Sequence, residues 1–273
     1  MSGFSEKLKA AIQRTHGCLC VGLDVDLAKM PGSIPKDGQG ALRFCRSIIE
    51  ATRDLAAAYK PNMAFFESLG APGFEILELL RQSIPHDSLF VLDAKRGDIG
   101  NTSQAYAKAY YDLLKSDALT LSPYMGKDSI EPFLDYPGTC SFVLCLTSNP
   151  SSVDFQQQEL KSGEKLYERV AKEAVGWAKG KKGEVGLVVG ATQTQYLKDL
   201  RRLVPNNPFL VPGVGAQGGD LAGVLKEGRS KDGSGLLVNV SRQVLYASSE
   251  NDFADAAREQ AKKLVADMKE YFK

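Results

Sequence analysis

LFVLDAKRGDIGNT (89–102) begins as an apolar run, ends in charged residues and leads into a helical pattern. Seven further apolar runs occur along the chain, each about four to eight residues long, as is typical of strands covered on both faces. The eight predicted strands are CLCVGLD (18–24), AAYKPNMAF (57–65), LFVLDAK (89–95), ALTLSP (118–123), CSFVLCLT (140–147), VGLVVGA (185–191), PFLVPGVG (208–215) and LLVNVS (236–241).

Helical patterns separate these runs. The predicted helices cover residues 1–15, 41–57, 100–115, 163–179 and 253–272. Eight strands that alternate with helices in 273 residues predict an α/β fold, namely a (β/α)₈ TIM barrel that forms a single domain over residues 1–273. A doubly wound parallel sheet is the competing arrangement.

The charge of the chain is balanced, with 34 Lys and Arg residues against 33 Asp and Glu residues. This balance gives no bulk electrostatic reason to bind nucleic acid or an anionic membrane, and we expect neither partner. No apolar run approaches the roughly 18 residues of a transmembrane helix, and the N-terminus lacks a signal-peptide core. We therefore expect a cytoplasmic protein.

The five cysteines and two histidines do not follow the spacing of metal ligands. No CxxC, HxH or HExxH pattern occurs. The cysteines are predicted to be buried free thiols in a reducing compartment. No metal site and no redox cofactor is expected.

Charged residues interrupt the apolar strands near their carboxyl ends. Asp24 ends the first strand, Lys60 lies within the second, Asp93 and Lys95 end the third, and Asp98 follows. Residues two apart on a strand point to the same side, and parallel strands in a barrel end at one face. Converging charges are costly unless they neutralise one another, a condition that alternating Lys and Asp residues satisfy. The pattern predicts an acid–base set at the active-site face, with a structural ion-pair network as the alternative.

The glycine-rich stretch VPGVGAQGG (211–219) follows the seventh strand. It lacks the lysine of a P-loop, so taken alone it also fits a tight turn. Barrels often bind phosphate with the loops after strands seven and eight, where glycines expose backbone N–H groups. Arg242, after the eighth strand, offers a planar fork for phosphate oxygens, and Gln217 offers an amide. The residues therefore predict a barrel enzyme for a small phosphorylated substrate.

The order of the motifs VGLDVD, YKPN, DAKRGDIGNT, LTSNP, PGVGAQGG and VSR resembles that of the orotidine 5′-phosphate decarboxylase family, in its longer, type 2-like branch. The resemblance covers nearly the whole predicted barrel. It implies the cofactor-independent conversion of orotidine 5′-phosphate (OMP) to uridine 5′-phosphate (UMP) and CO₂, the last step of de novo pyrimidine biosynthesis.

The resemblance also implies roles for the charged residues. Lys60, Asp93, Lys95 and Asp98 match the charged network of the family, and Lys95 matches the ammonium group that protonates C6 of the pyrimidine. Asp98 and Thr102 match residues that reach the neighbouring subunit's site, which implies a homodimer. Association with a separate orotate phosphoribosyltransferase is a further expectation.

The remaining expected contacts come from residues that match substrate-binding positions of the family. Ser148 matches a pyrimidine contact, and the loops 148–162 and 213–219 match segments that close over the ligand. The expected substrate-binding residues are Asp24, Asn62, Thr102, Ser148, Gly215, Gln217, Ser241 and Arg242.

Two alternatives are a Mg²⁺-dependent sugar-phosphate decarboxylase or aldolase, resembling the 3-keto-L-gulonate 6-phosphate decarboxylases, and a non-catalytic nucleotide-binding barrel. The lysine of YKPN and the LTSNP loop suit the decarboxylase of OMP better than the first. The presence of all four network residues argues against the second.

Overall fold

Eight parallel strands close into a barrel in the order in which they occur in the chain. The computed structural model describes residues 3–192, 194–214 and 219–272. The strands are β1 (Leu19–Gly22), β2 (Ala58–Lys60), β3 (Leu89–Arg96), β4 (Ala118–Leu121), β5 (Cys140–Leu146), β6 (Glu184–Val189), β7 (Phe209–Pro212) and β8 (Leu236–Val240). Because β1 pairs with both β2 and β8, the sheet has no open edge, and the doubly wound alternative is wrong.

Helices surround the strands. They are α1 (Phe4–Thr15), α2 (Gly38–Thr52), α3 (Met63–Glu67), α4 (Pro72–Ser83), α5 (Gly100–Ala107), α6 (Leu166–Trp177), α7 (Thr194–Leu203), α8 (Leu221–Gly228), α9 (Arg242–Leu245) and α10 (Phe253–Lys269). Each long helix buries one apolar stripe against the barrel, so that strands such as β1, β4 and β8 are buried along their whole length.

All eight predicted strands are confirmed, with shorter bounds except for β3, which extends one residue further to Arg96. The largest difference is β2, which ends at Lys60 although its apolar pattern continues to residue 65. Pro61 has no N–H to donate to a ladder, and the Asn62 side chain accepts a hydrogen bond from Ala64 N at 3.1 Å, which begins α3. The predicted helix 100–115 is α5 followed by a π-helical turn (Lys108–Leu113).

Two observations bear on the expectations from composition. All five cysteines are buried and free. No helix among the described residues is long and apolar enough to cross a membrane. The parallel order of the strands places all eight carboxyl ends at one face of the barrel, where the predicted site residues of β1, β2, β3 and β8 lie.

Candidate active site

The ends of β1, β2 and β3 bring four charged side chains together. Asp93 Oδ2 lies 2.9 Å from Lys60 Nζ, and Asp93 Oδ1 lies 2.5 Å from Lys95 Nζ. Asp24 Oδ1 lies 3.9 Å from Lys60 Nζ. One carboxylate is therefore shared by two ammonium groups, and a second carboxylate lies beside the deeper of the two.

Backbone hydrogen bonds between neighbouring strand ends fix this arrangement. Leu23 N donates to Lys60 O at 2.9 Å, and Asp93 N donates to Pro61 O at 3.0 Å. These bonds continue the ladders of β1 with β2 and of β2 with β3 just beyond the regular strands. The backbones that carry Asp24, Lys60 and Asp93 are thereby held in register.

Burial and charge act in opposite directions on the two innermost groups. Lys60 is only 2% exposed, and burial alone would lower its pKa, but the carboxylates of Asp93 and Asp24 raise that pKa above its usual value. Burial alone would raise the pKa of Asp93, but the ammonium groups of Lys60 and Lys95 hold it well below its usual value. Both groups are therefore charged at neutral pH, while the side chain of Lys95 is 48% exposed.

Asp98 and Thr102 do not join this cluster. The Asp98 carboxylate accepts a hydrogen bond from Ile99 N at 2.8 Å, and it forms no ion pair with any residue that the structure describes. Thr102 lies exposed on α5. Within one chain, Asp24 rather than Asp98 is the second carboxylate near Lys60.

A cavity of about 450 Å³ opens beside the charged cluster. Its lining includes Asp24, Asp26, Lys29, Lys60, Phe65, Asp93, Pro212, Gly213, Val214, Asn239, Ser241, Arg242 and Tyr246. Asp24 Oδ1 and Ser241 Oγ are buried without a hydrogen-bond partner among the described residues. The Arg242 side chain is exposed. Buried acceptors, a hydroxyl and a guanidinium suit a polar, anionic ligand.

Ser148 lies in a neighbouring cavity of about 170 Å³, under the loop that follows β5. Its Oγ is buried and has no hydrogen-bond partner within the described part of the chain. A Cβ at Gly190 would lie 2.2 Å from this oxygen, so glycine is required there for the two loops to approach. Gly215 and Gln217 lie outside the described residues.

The sequence patterns did not single out two residues that support the cluster. Tyr246 Oη donates to Asp24 O at 3.0 Å and accepts from Asp26 N at 2.7 Å, so it fixes the loop that carries Asp24. Thr120 lies on β4 and hydrogen-bonds to both Asp93 and Lys95. A hydroxyl within the apolar strand ALTL was the available signal for Thr120.

Among the residues that the structure describes, no cluster of three or more His, Cys, Asp or Glu side chains could hold a metal ion. The charged set consists instead of paired lysines and aspartates. Such a set can place a fixed positive charge, and a proton on a lysine, beside a bound anion.

Comparison with protein families matches residues 17–259 to the model of the orotidine 5′-phosphate decarboxylase / HUMPS family. A relative from Roseiflexus castenholzii, named orotidine 5′-phosphate decarboxylase, is 50% identical over 262 residues, which are 96% of this chain and 95% of the relative. A relative of the same name from Parabacteroides distasonis is 46% identical over 270 residues, covering 97% of this chain and 95% of the relative.

Solved structures agree with these matches. The OMP decarboxylase of Leishmania donovani is 41% identical and superposes with a TM-score of 0.83, over 97% of this chain and 100% of that chain. The UMP synthase of the same organism is 42% identical with a TM-score of 0.86, over 98% of this chain and 57% of that longer chain.

The lowered pKa of Asp93 has a consequence for stability. Because the folded-state pKa lies below the usual value of 3.8, ionised Asp93 stabilises the folded state above that pH, and the contribution is lost as the pH falls through the folded-state pKa. Between about pH 4 and pH 2, we expect the unfolding free energy of the wild type to fall more steeply than that of Asp93→Asn, by up to about 1.4 kcal/mol per pH unit.

Urea unfolding at a series of pH values measures this difference. Asp267→Asn, which removes an exposed carboxylate of α10, is the control and should keep the steep slope of the wild type. Equal slopes for the wild type and Asp93→Asn would contradict the assignment of a depressed pKa.

Proposed function

The chain belongs to the orotidine 5′-phosphate decarboxylase / HUMPS family and converts OMP to UMP and CO₂, and we propose the following roles for its residues. The observation that carries the proposal is the Asp93 carboxylate shared by Lys60 and Lys95 at the mouth of the barrel. The enzyme is a carboxy-lyase of pyrimidine biosynthesis.

Lys95 is the proposed proton donor. The bond between C6 and the carboxylate carbon breaks, CO₂ leaves, and the electron pair that remains on C6 takes a proton from Lys95 Nζ. The pyrimidine ring delocalises this electron pair poorly, so a fixed cation next to C6 is the main means of stabilisation. One opposite charge at about 4 Å is worth roughly 4 kcal/mol at an effective dielectric constant near 20, so exclusion of water and phosphate binding must add to it.

Asp93 and Lys60 hold that cation in place. Asp93 Oδ1 contacts Lys95 Nζ at 2.5 Å, and Lys60 contacts the other oxygen at 2.9 Å. We assign Asp93 to the position beside the departing carboxylate of the substrate. Lys60, which is buried between Asp93 and Asp24, helps to hold the pKa of Asp93 well below its usual value.

The cavity supports the assignment of the substrate-binding residues. Asp24 and Lys60 are assigned to the ribose hydroxyls, and the Asp24 Oδ1 atom, which has no hydrogen-bond partner among the described residues, supports this role. Arg242 and Ser241 line the same cavity and are assigned to the phosphate, together with Gln217 and Gly215. Ser148 is assigned to the pyrimidine because its buried hydroxyl has no hydrogen-bond partner among the described residues. Asn62 is a weaker candidate, since its side chain caps α3.

We further propose that the single-domain chain acts as a homodimer in which Asp98 and Thr102 complete the partner's site. Two observations support it: Asp98 has no ion-pair partner among the described residues of its own chain, and large apolar side chains are exposed next to it and in the loop after the neighbouring strand β4. Ile99 is 51% exposed, and in the loop after β4 Tyr124 is 86% and Met125 49% exposed. A cytoplasmic location and an association with a separate orotate phosphoribosyltransferase stay predictions.

The activity itself is tested by the loss of OMP absorbance with purified protein at neutral pH in excess EDTA. We expect rapid conversion to UMP that resists the chelator, and a turnover several orders of magnitude lower for Lys95→Ala, which should remain folded by circular dichroism. Absence of conversion by folded wild type would contradict the assigned reaction. Near-normal turnover of Lys95→Ala would remove Lys95 as the proton donor.

The phosphate assignment is tested by Arg242→Ala. We expect affinity for UMP to fall about ten- to hundredfold, because a charge-assisted hydrogen bond is lost, while affinity for uridine, which lacks the phosphate, is unchanged. Arg202→Ala removes another exposed arginine, on α7, and serves as the control. Calorimetric titration measures both ligands, and unchanged UMP affinity would refute the assignment.

The shared site is tested by mixing inactive variants. Co-expression of Lys95→Ala with Asp98→Ala should restore about a quarter of wild-type activity, since half of the dimers are then mixed and each has one intact site. Lys95→Ala with Lys60→Ala is the control, because both residues belong to the site of their own chain and no intact site forms. Failure of the first pair to recover, with mixed dimers confirmed by mass, would refute the role of Asp98.

A further inference from the structure

The end of β3 departs from a regular strand where it carries the charged residues. Leu92 pairs with Leu119 of β4, and the next pair is Arg96 with Leu121. Three residues of β3 thus lie opposite one residue of β4, which is Thr120. Such a bulge interrupts the ladder and leaves backbone groups in need of other partners.

Lys95 adopts an uncommon backbone conformation inside this bulge. Its φ is +49°, which is in the left-handed region that residues other than glycine rarely occupy. The neighbouring structure must therefore hold it there. The backbone beyond the bulge returns to the sheet, where Ser122 N donates to Arg96 O at 2.7 Å.

Thr120 supplies the partner that the interrupted ladder lacks. Lys95 N donates to Thr120 Oγ1 at 2.9 Å, and Thr120 Oγ1 donates to Asp93 Oδ1 at 2.9 Å. A hydroxyl has a single hydrogen, so accepting from Lys95 leaves that hydrogen for the carboxylate. Thr120 is 1% exposed, so water does not compete for either bond.

We propose that Thr120 is a positioning residue for the decarboxylation, and this proposal rests on the function proposed above. Its hydroxyl joins the backbone of Lys95 to the carboxylate of Asp93 and so fixes both ends of the Lys95 side chain. One end is the backbone held at positive φ, and the other is the ammonium group bound to the same Asp93 oxygen that Thr120 contacts.

This arrangement sets the direction of the Lys95 ammonium group. Without the hydroxyl, the Lys95 N–H loses its acceptor, and Asp93 Oδ1 keeps the flexible lysine as its partner. The lysine side chain is half exposed and has many rotamers, so its position relative to C6 then becomes less defined. Substrate affinity depends on other groups and should change little.

Three substitutions at position 120 separate the hydroxyl from the packing of the side chain. Thr120→Val keeps the shape and removes the hydroxyl, Thr120→Ser keeps the hydroxyl and removes the methyl group, and Thr120→Ala removes both. Thr15→Val is the matched control, because Thr15 is also a buried threonine with two hydrogen bonds but lies at the end of α1, ahead of β1.

We expect kcat for OMP to fall about ten- to hundredfold in Thr120→Val and Thr120→Ala, the loss typical of a hydrogen bond to a charged group. KM should stay within about threefold, and Thr120→Ser and Thr15→Val should keep kcat within about threefold of the wild type. Thermal stability should be lower in the Ser and Ala variants, which lose the packed methyl group, and also in the Val and Ala variants, which leave the Lys95 N–H without an acceptor, so stability does not follow the pattern of kcat.

The protection of the Lys95 amide against hydrogen exchange gives a readout that does not depend on activity. We expect faster exchange in Thr120→Val than in the wild type and Thr120→Ser. If Thr120→Val does not fold, the comparison of Ser with Ala decides, because these variants differ only in the hydroxyl.

A kcat for Thr120→Val near that of the wild type, or an equal loss in the Ser and Ala variants, would overturn the proposal. An inactive wild type would overturn the proposed function and with it any role for Thr120 in the reaction. Activity in the wild type with unchanged Lys95 exchange in Thr120→Val would overturn the positioning role alone.

Discussion

The shared carboxylate of Asp93 is the interaction on which the site depends. Lys60 is almost wholly buried, and an unpaired ammonium group there would carry a large desolvation cost. Asp93 and Asp24 offset that cost only because β1, β2 and β3 end in register. The closed barrel supplies this register, so the stability of the two buried charges depends on the topology of the sheet.

The same pairing prepares the chemistry. Asp93 is ionised because two lysines contact it. Lys95 is oriented because its ammonium group binds Asp93 and its backbone N–H donates to the Thr120 hydroxyl. The side chain of Lys60 is screened from solvent, whereas that of Lys95 is 48% exposed. Two residues of one type thus have different proposed tasks: the inner lysine neutralises charge, and the outer lysine is the proposed proton donor.

Much of this was predictable from the sequence, because charged residues within apolar strands are informative. Asp24, Lys60, Asp93 and Lys95 each stood out against the apolar run around them, and the structure brings all four together. The bulge in β3 and the part played by Thr120 depend on which residues face each other across two strands. Periodicity along one strand carries no such information, and the early end of β2 required the capping role of Asn62.

The bond between Tyr246 and the backbone of Asp24 joins residues 222 positions apart. Such contacts form late, since closing a long loop costs conformational entropy before any contact compensates for it. Pairing of β1 with β8 also requires the closure of a long loop. A chain still emerging from the ribosome therefore carries the residues of its charged cluster long before it can bind a nucleotide. Ligand affinity develops only when the first and last strands of the barrel have met.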